Sequence, residues 1–253
     1  MAFYPKESNI LVIGLGSWNT LCGSATSLPV MYESVDEPLL LKQVLKQSDC
    51  SIATNSHSTM LVIPVDYSVP RVQDLTRHLF QDCNVPALCV IDEPVACIFA
   101  TGGTSGLIID VGHVSTKISV VVEHCVLPYC TVVVPLGGAD ITALLAKHLG
   151  SGFTESDACE IKEKHSIVSM SPKIAAQQTL KIEHKGQTVN LDSHAKCCEV
   201  LFDPSLIGKD CLSIQDAVSL AISKCELEKR TTLWENLILT GGCSLIPGIL
   251  LLT

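Results

Sequence analysis

Asp110 closes an apolar run, Gly106-Leu-Ile-Ile-Asp-Val-Gly-His-Val-Ser-Thr-Lys-Ile-Ser-Val-Val-Val122, two residues before a glycine. A carboxylate at a strand end can hold a metal ion while the N–H groups of the adjoining glycine turn face a phosphate. The run reads as a β-hairpin with a tight turn at Gly112. Two further glycine turns leave apolar strands, in Pro135-Leu-Gly-Gly-Ala-Asp-Ile-Thr142 and in Leu237-Ile-Leu-Thr-Gly-Gly-Cys-Ser-Leu-Ile-Pro-Gly248. An earlier strand, Ile10–Ile13, runs into Gly14-Leu-Gly-Ser17. Phosphate-type hairpins thus open both halves of the chain, Ile10–Gly16 and Ile108–Gly112. This weak internal repeat suits a nucleotide held between two related lobes. A plain reading stands beside it: aspartate at strand ends is a common turn former near solvent.

The elements that must position these turns follow from periodicity. Thr59-Met-Leu-Val-Ile-Pro64 reads as a buried parallel strand. Pro70–Asp82 reads as a helix with Val72, Leu75 and Leu79 on one face. Ala87–Ile91 is expected to be a strand, and Glu93–Phe99 a short helix opened by Asp92-Glu93-Pro94. Tyr129–Val134 reads as a strand and Asp140–Leu149 as a helix that starts after the glycine turn. A further helix falls within Glu155–Met170, and Lys181–Leu191 alternates around Gly186 as a hairpin. Ile214–Lys224 carries apolar residues at 214, 217, 218, 221 and 222, which is helical spacing. Trp234–Leu239 reads as the last strand. The Ser24–Ser58 region is polar and poorly periodic, with Leu39–Leu45 suited to a short helix. Strand, helix and strand in alternation indicate an α/β sheet with crossover helices.

Composition excludes several classes. The chain has 253 residues, 47% hydrophobic and 17% charged, which is a folding composition. A formal charge of −9, without a basic cluster, argues against direct nucleic-acid binding. No apolar run reaches the roughly 20 residues that span a bilayer, and Met1–Ser8 lacks the apolar core of a signal peptide. The thirteen cysteines form no C-x-x-C pair and no zinc-type spacing. Cys89, Cys97, Cys125 and Cys130 sit in apolar segments and read as buried reduced thiols. Cys197-Cys198 reads as a pair facing opposite sides of a strand.

Taken in order over Thr59–Ile249, the motifs resemble the actin superfamily. Leu61–Pro64, Leu79-Phe80, Val85-Pro86, Gly106–Asp110, Leu127-Pro128, Gly138 with Asp140, Ile161-Lys-Glu-Lys164, Leu201-Phe-Asp-Pro-Ser205, Gly208 and Thr240–Gly248 all fall in the family's sequence. The resemblance implies an α/β, actin-like (ribonuclease-H-like) two-lobe ATPase fold. Its first lobe would occupy 1–100, with a reduced outer region at 24–58. The second would occupy 101–253, without the C-terminal return to the first lobe.

For the site, the resemblance implies contacts to ATP or ADP with Mg from Gly16, Ser17, Asp110, Gly112, Gly138, Asp140, Lys162, Glu163, Gly241 and Gly242, with Asp110 on the metal side. Read on its own, Lys162-Glu-Lys is a solvated helix face. Departures from the family pattern bear on chemistry. Gly14 and Leu21 stand where the first hairpin of actin has an acid and a lysine, and His113 and Val114 stand where the second has an acid and a glycine. Glu93 takes the place of the water-orienting glutamine, in a stretch similar to heat-shock chaperone ATPases. Phosphoryl transfer rests on positioning and electrostatics, so these losses imply weak nucleotide binding with little hydrolysis, and no catalytic residue is assigned. The run Gly137–Thr142 and the start Phe3…Asn9-Ile-Leu-Val-Ile-Gly14 look most like the nuclear actin-related subunits of SWI/SNF- and RSC-type chromatin remodellers. That likeness implies a non-filament-forming scaffold beside a second actin-like protein and a long helix of the remodelling ATPase. The alternatives are the pointed-end actin-related subunit of dynactin, in the cytoplasm and cytoskeleton, and a slow actin-like ATPase.

Overall fold

The computed structural model describes residues 10–24, 29–33, 57–150, 152–168, 180–184, 187–191 and 194–249. The chain divides into two compact units, Met1–Thr104 with His124–Val126, and Ser105–Glu123 with Leu127–Thr253. Most of the 24–58 region, including Leu39–Leu45, lies outside the described residues.

In the first unit, β1 (Ile10–Gly14), β2 (Asn19–Ser24), β3 (Val30–Glu33), β4 (Ser58–Ile63) and β5 (Leu88–Asp92) form one sheet in the order β3-β2-β1-β4-β5. β2 runs antiparallel to β1, whereas β4 is parallel to both β1 and β5. Leu11, Ile13, Leu61 and Ile63 point into a core shared with Leu75 and Leu79 of α1 (Val69–Gln81), and with Cys83 and Val85 beyond it. Ser68 and Pro70 open that helix, where a fixed φ and a missing N–H cost nothing. The expectation that β4 is buried on both faces is corrected. Its burial alternates, with Met60 and Val62 only half-buried, so the apolar run hides one face fully. α2 (Glu93–Thr101) follows β5 directly and ends at Gly102, whose φ of 71° is the left-handed conformation a helix C-terminus favours.

The second unit is built on β6 (Gly106–Val111) and β7 (Thr116–Val122), paired antiparallel in the expected hairpin. All six residues of β6 are buried. The short β8 (Cys125–Val126) groups with the first unit. β9 (Val132–Val134) pairs with β7, and β12 (Leu237–Thr240) runs parallel to β6 on its other side. Between them come α3 (Gly138–Leu149), α4 (Glu155–His165), the hairpin β10 (Leu180–His184) and β11 (Gln187–Leu191), α5 (His194–Glu199), α6 (Ile214–Ser223) and α7 (Leu227–Glu235). α6 buries Ile214, Ala217, Val218, Ala221 and Ile222, the five positions its spacing marks.

Three expectations are corrected in this unit. Tyr129 lies in a 3-10 turn, Pro128–Cys130, and the strand begins only at Val132. Proline fixes φ and lacks the N–H that a ladder needs. Trp234 belongs to α7, and the last strand starts at Leu237 after a break at Asn236. Cys197 and Cys198 lie on the helix α5, and both are buried. Among the described residues, no helix is long and apolar enough to cross a membrane.

Candidate functional site

The site begins where β6 and β12 end. Their parallel register places Thr240 opposite Asp110, so both strands release the chain at one edge of the sheet. Past Thr240, Gly241 has φ of 88°. A Cβ there would lie 2.5 Å from Asp110 Oδ1 and 2.5 Å from the Val111 carbonyl oxygen. Only glycine satisfies both the left-handed backbone and this approach. Asp110 itself is only 8% exposed. The reading of it as a turn residue near solvent is therefore corrected, because the Gly241 turn covers it.

The third glycine turn is bonded to the first of these. Gly112 N–H donates to the Ser115 carbonyl at 3.1 Å, closing the β6–β7 turn. Gly138 N–H donates to the Gly112 carbonyl at 2.9 Å, and Ala139 N–H to the His113 carbonyl at 2.7 Å. A Cβ on Gly137 would lie 2.5 Å from the His113 carbonyl oxygen. The N-terminus of α3, a favourable place for anions, is thus held against the hairpin that carries Asp110. α3 starts at Gly138, two residues before the expected Asp140.

Lys162 reaches the same place from α4. The reading of Lys162 as part of a solvated face is overturned: it is 6% exposed, and its Nζ donates to Thr142 Oγ1 at 3.0 Å and to the Gly138 carbonyl at 3.3 Å. Glu163, the next residue, is exposed. Asp140 is used locally: its carboxylate accepts from Gly137 N–H at 3.1 Å and pairs with Lys209 at 2.8 Å. Lys209 also donates to the Pro135 carbonyl at 2.7 Å. Asp140 therefore fixes the glycine turn. His113 has its pKa lowered, chiefly by burial and then by the Lys162 charge, against weaker opposing pulls from Glu155 and Asp140. Among the described residues, nothing lies within 4 Å of a Cβ on Gly242, which is exposed.

Two participants carried no distinct signal in the sequence. Gly137 is the closer of the glycine pair to the hairpin. Cys243 lies under the site, its thiol 3.7 Å from the Gly112 carbonyl and 2.7 Å from where a Gly138 Cβ would be. Burial pushes the Cys243 thiol pKa up, so it stays a neutral packing group.

Asp110, Gly112, Gly138, Asp140, Lys162, Glu163, Gly241 and Gly242 all belong to the second unit, whereas Gly16 and Ser17 belong to the first. In the β1–β2 turn a Cβ on Gly16 would collide with the Asn19 carbonyl oxygen. Gly14 and Leu21 are cross-strand partners in that hairpin. Leu21 is 45% exposed and Trp18 is 44% exposed. Glu93 is the first residue of α2 and is half-buried.

A fold of two α/β units, with a strand-end aspartate under three glycine turns, defines a class that comparison makes specific. The actin family model matches residues 33–195 and 185–251, and the chain belongs to the actin family. It is a divergent actin-related protein with a mixed α/β actin fold. It is similar to actin-like protein 9 from Bos taurus, 31% identical over 228 residues, or 84% of this chain. The chain spans 55% of the length of that relative.

Proposed function

We propose that the second unit carries the phosphate and adenosine side of an Mg-nucleotide site, and that the protein works as an actin-related scaffold subunit of a multiprotein complex. One observation carries this reading. Asp110, the backbone of Gly112 and Gly138, Lys162 and Gly241 meet at one edge of one sheet. The set fits a nucleotide by charge and room, not by free backbone donors, since the Gly112 and Gly138 N–H groups are bonded within the protein. The dipole of α3 starts at Gly138, Lys162 supplies a buried cation, and Gly242 is exposed and leaves room for close approach. A single strand-end carboxylate suits Mg²⁺, which keeps most of its waters and shares one or two protein oxygens with phosphate. In this reading Asp110 would hold the metal side, Gly112, Gly138, Gly241 and Gly242 the phosphates and base, and Lys162 and Glu163 the base and ribose. Bound Mg would supply charge neutralisation at the phosphates.

By the family resemblance, Gly16 and Ser17 of the first unit keep the backbone of a phosphate-type turn, but the Gly14–Leu21 pair of that hairpin brings no charge. Electrostatic stabilisation is the main work of phosphoryl-transfer enzymes, so binding should outlast turnover. Isothermal titration with Mg-ATP, paired with single-turnover hydrolysis, tests this. Binding with turnover far below that of conventional actin is expected, and hydrolysis equal to actin would refute the reading.

The scaffold is assigned to a SWI/SNF- or RSC-type remodeller in the nucleus, beside a second actin-like protein and a helix of the remodelling ATPase. Support comes from the likeness in Gly137–Thr142, from the net charge of −9 that leaves DNA contacts to other subunits, and from exposed Tyr129, Leu227 and Trp234. Affinity purification with mass spectrometry should recover a remodelling ATPase. Recovery of dynactin components would place the protein there instead.

A further inference from the structure

Apart from the glycine turns, the described residues of the second unit bring together three side chains of metal-ligating type, Asp157, Glu160 and His184, whose ligand atoms all lie within 4.8 Å of one another. Asp157 and Glu160 are three apart on α4 and share one face of the helix. His184 arrives from the end of β10, with Nε2 3.1 Å from Asp157 Oδ1. The Asp157 side chain is 7% exposed and that of His184 is 11% exposed. This is a mixed nitrogen and oxygen set drawn from two elements, 27 residues apart at its widest.

We infer that Asp157, Glu160 and His184 bind one zinc ion, which pins the β10–β11 hairpin to the start of α4. One separation already matches, and the others lie within reach of a small side-chain adjustment, all being within 4.8 Å. Two ligands about 2.0–2.1 Å from a tetrahedral ion lie roughly 3.3 Å apart, close to the 3.1 Å between Asp157 and His184. The second oxygen of Asp157 is already oriented, since Oδ2 accepts from Thr154 N at 2.9 Å and from Thr154 Oγ1 at 2.7 Å. Such outer partners fix a ligating carboxylate. The Phe153 ring, centred 6.3 Å from the imidazole, flanks His184. Glu160 pairs with Lys164 in an ion pair open to water, 45% and 61% exposed, and such exposed pairs contribute little. An imidazole in the set selects zinc-like ions over Mg²⁺ and Ca²⁺, which prefer all-oxygen sites. Three protein ligands leave the fourth position to water. The site uses none of the residues assigned to nucleotide.

The full chain, stripped of metal with a chelator, is titrated with Zn²⁺ alone against a chromophoric competitor. His184→Gln and Glu160→Gln are measured beside wild type. Glu160→Gln sits at a half-exposed position and guards against loss of fold, which circular dichroism checks. One equivalent should weaken by about tenfold or more in each variant, and hydrogen exchange over 180–184 and 187–191 should slow when zinc is added to wild type. The cysteines are the competing ligands, and Co²⁺ separates them. The equivalent lost in the variants should show d–d bands without a thiolate charge-transfer band. Equal zinc affinity in all three proteins, or a charge-transfer band on that equivalent, would overturn the inference and leave Asp157 and His184 as a hydrogen-bonded pair only.

Discussion

The two glycine hairpins, β1–β2 in the first unit and β6–β7 in the second, share a backbone device and differ in chemistry. In each, a glycine lies close to the carbonyl three residues on, Gly16 to Asn19 and Gly112 to Ser115. Each therefore forbids a side chain for the same steric reason. The second hairpin adds a buried carboxylate and is clasped by two further glycine turns. The first presents Trp18 and Leu21 to solvent and an uncharged cross-strand pair at Gly14. Both hairpins thus share the turn geometry, whereas only the second carries a buried charge.

The largest effect should come from Gly241→Val. Left-handed strain and overpacking against Asp110 and Val111 together should cost about 3 kcal/mol or more, a fall in Tm of about 6–12 °C for a chain of this size. Gly16→Ala and Gly112→Ala come next, at about 1–3 kcal/mol each from overpacking. Similar losses in both would sharpen the comparison. A neutral Gly16→Ala would break it, because the first hairpin would then be free of the constraint. Differential scanning fluorimetry resolves all three.

Much of this was legible in the sequence, for physical reasons. The α6 face follows from period alone, since burial on one face leaves a strict pattern, and the alternation of 181–191 gives the β10–β11 pair. β6, buried throughout, was legible from its apolar run and the glycine turn after it. Trp234 was not legible as helical, because an apolar residue one turn before a strand reads as part of it. The burial of Lys162 was hidden as well: Lys-Glu-Lys is a surface signature, and only the docking of α4 against Thr142 and Gly138 withdraws one lysine from water. Asp140 kept its family position, but its role in holding Gly137 and pairing with Lys209 needs coordinates. The Asp157, Glu160 and His184 cluster joins residues too far apart for any spacing rule.

The thiols give a smaller contrast between regions. Cys89 and Cys125, both from the first unit, are exposed, which corrects their reading as buried. In the second unit, burial pushes Cys130 and Cys197 up to about 12 and Cys198 up to about 11. Their thiolate fraction at pH 8 is negligible, so iodoacetamide followed by mass spectrometry should label Cys89 and Cys125 first. Early labelling of Cys197 would show that α5 opens readily.

His113 supplies the smallest effect and a pH test. Its folded pKa lies below the ordinary 6.5, so the unfolded chain takes up the proton first on acidification. The stability tied to neutral His113 is complete above about pH 6.5 and is lost as pH falls through the folded value. Lys162→Met removes the coulombic cause, so the His113 pKa should rise and the acid loss should shrink. NMR titration of the imidazole checks both, and an unmoved pKa would mean that burial alone sets it.

The central claim is that the second unit carries a site for Mg-nucleotide while the first hairpin, 14–24, brings no charge. Thermal melts of wild type and Asp110→Asn, each with and without Mg-ATP, test it most directly. A ligand at a hundred times its Kd stabilises by about 2.7 kcal/mol. Wild type should therefore rise in Tm with Mg-ATP, and Asp110→Asn, which keeps the shape and removes the charge, should rise much less. No rise in wild type at millimolar Mg-ATP, or an equal rise in both proteins, would contradict the account.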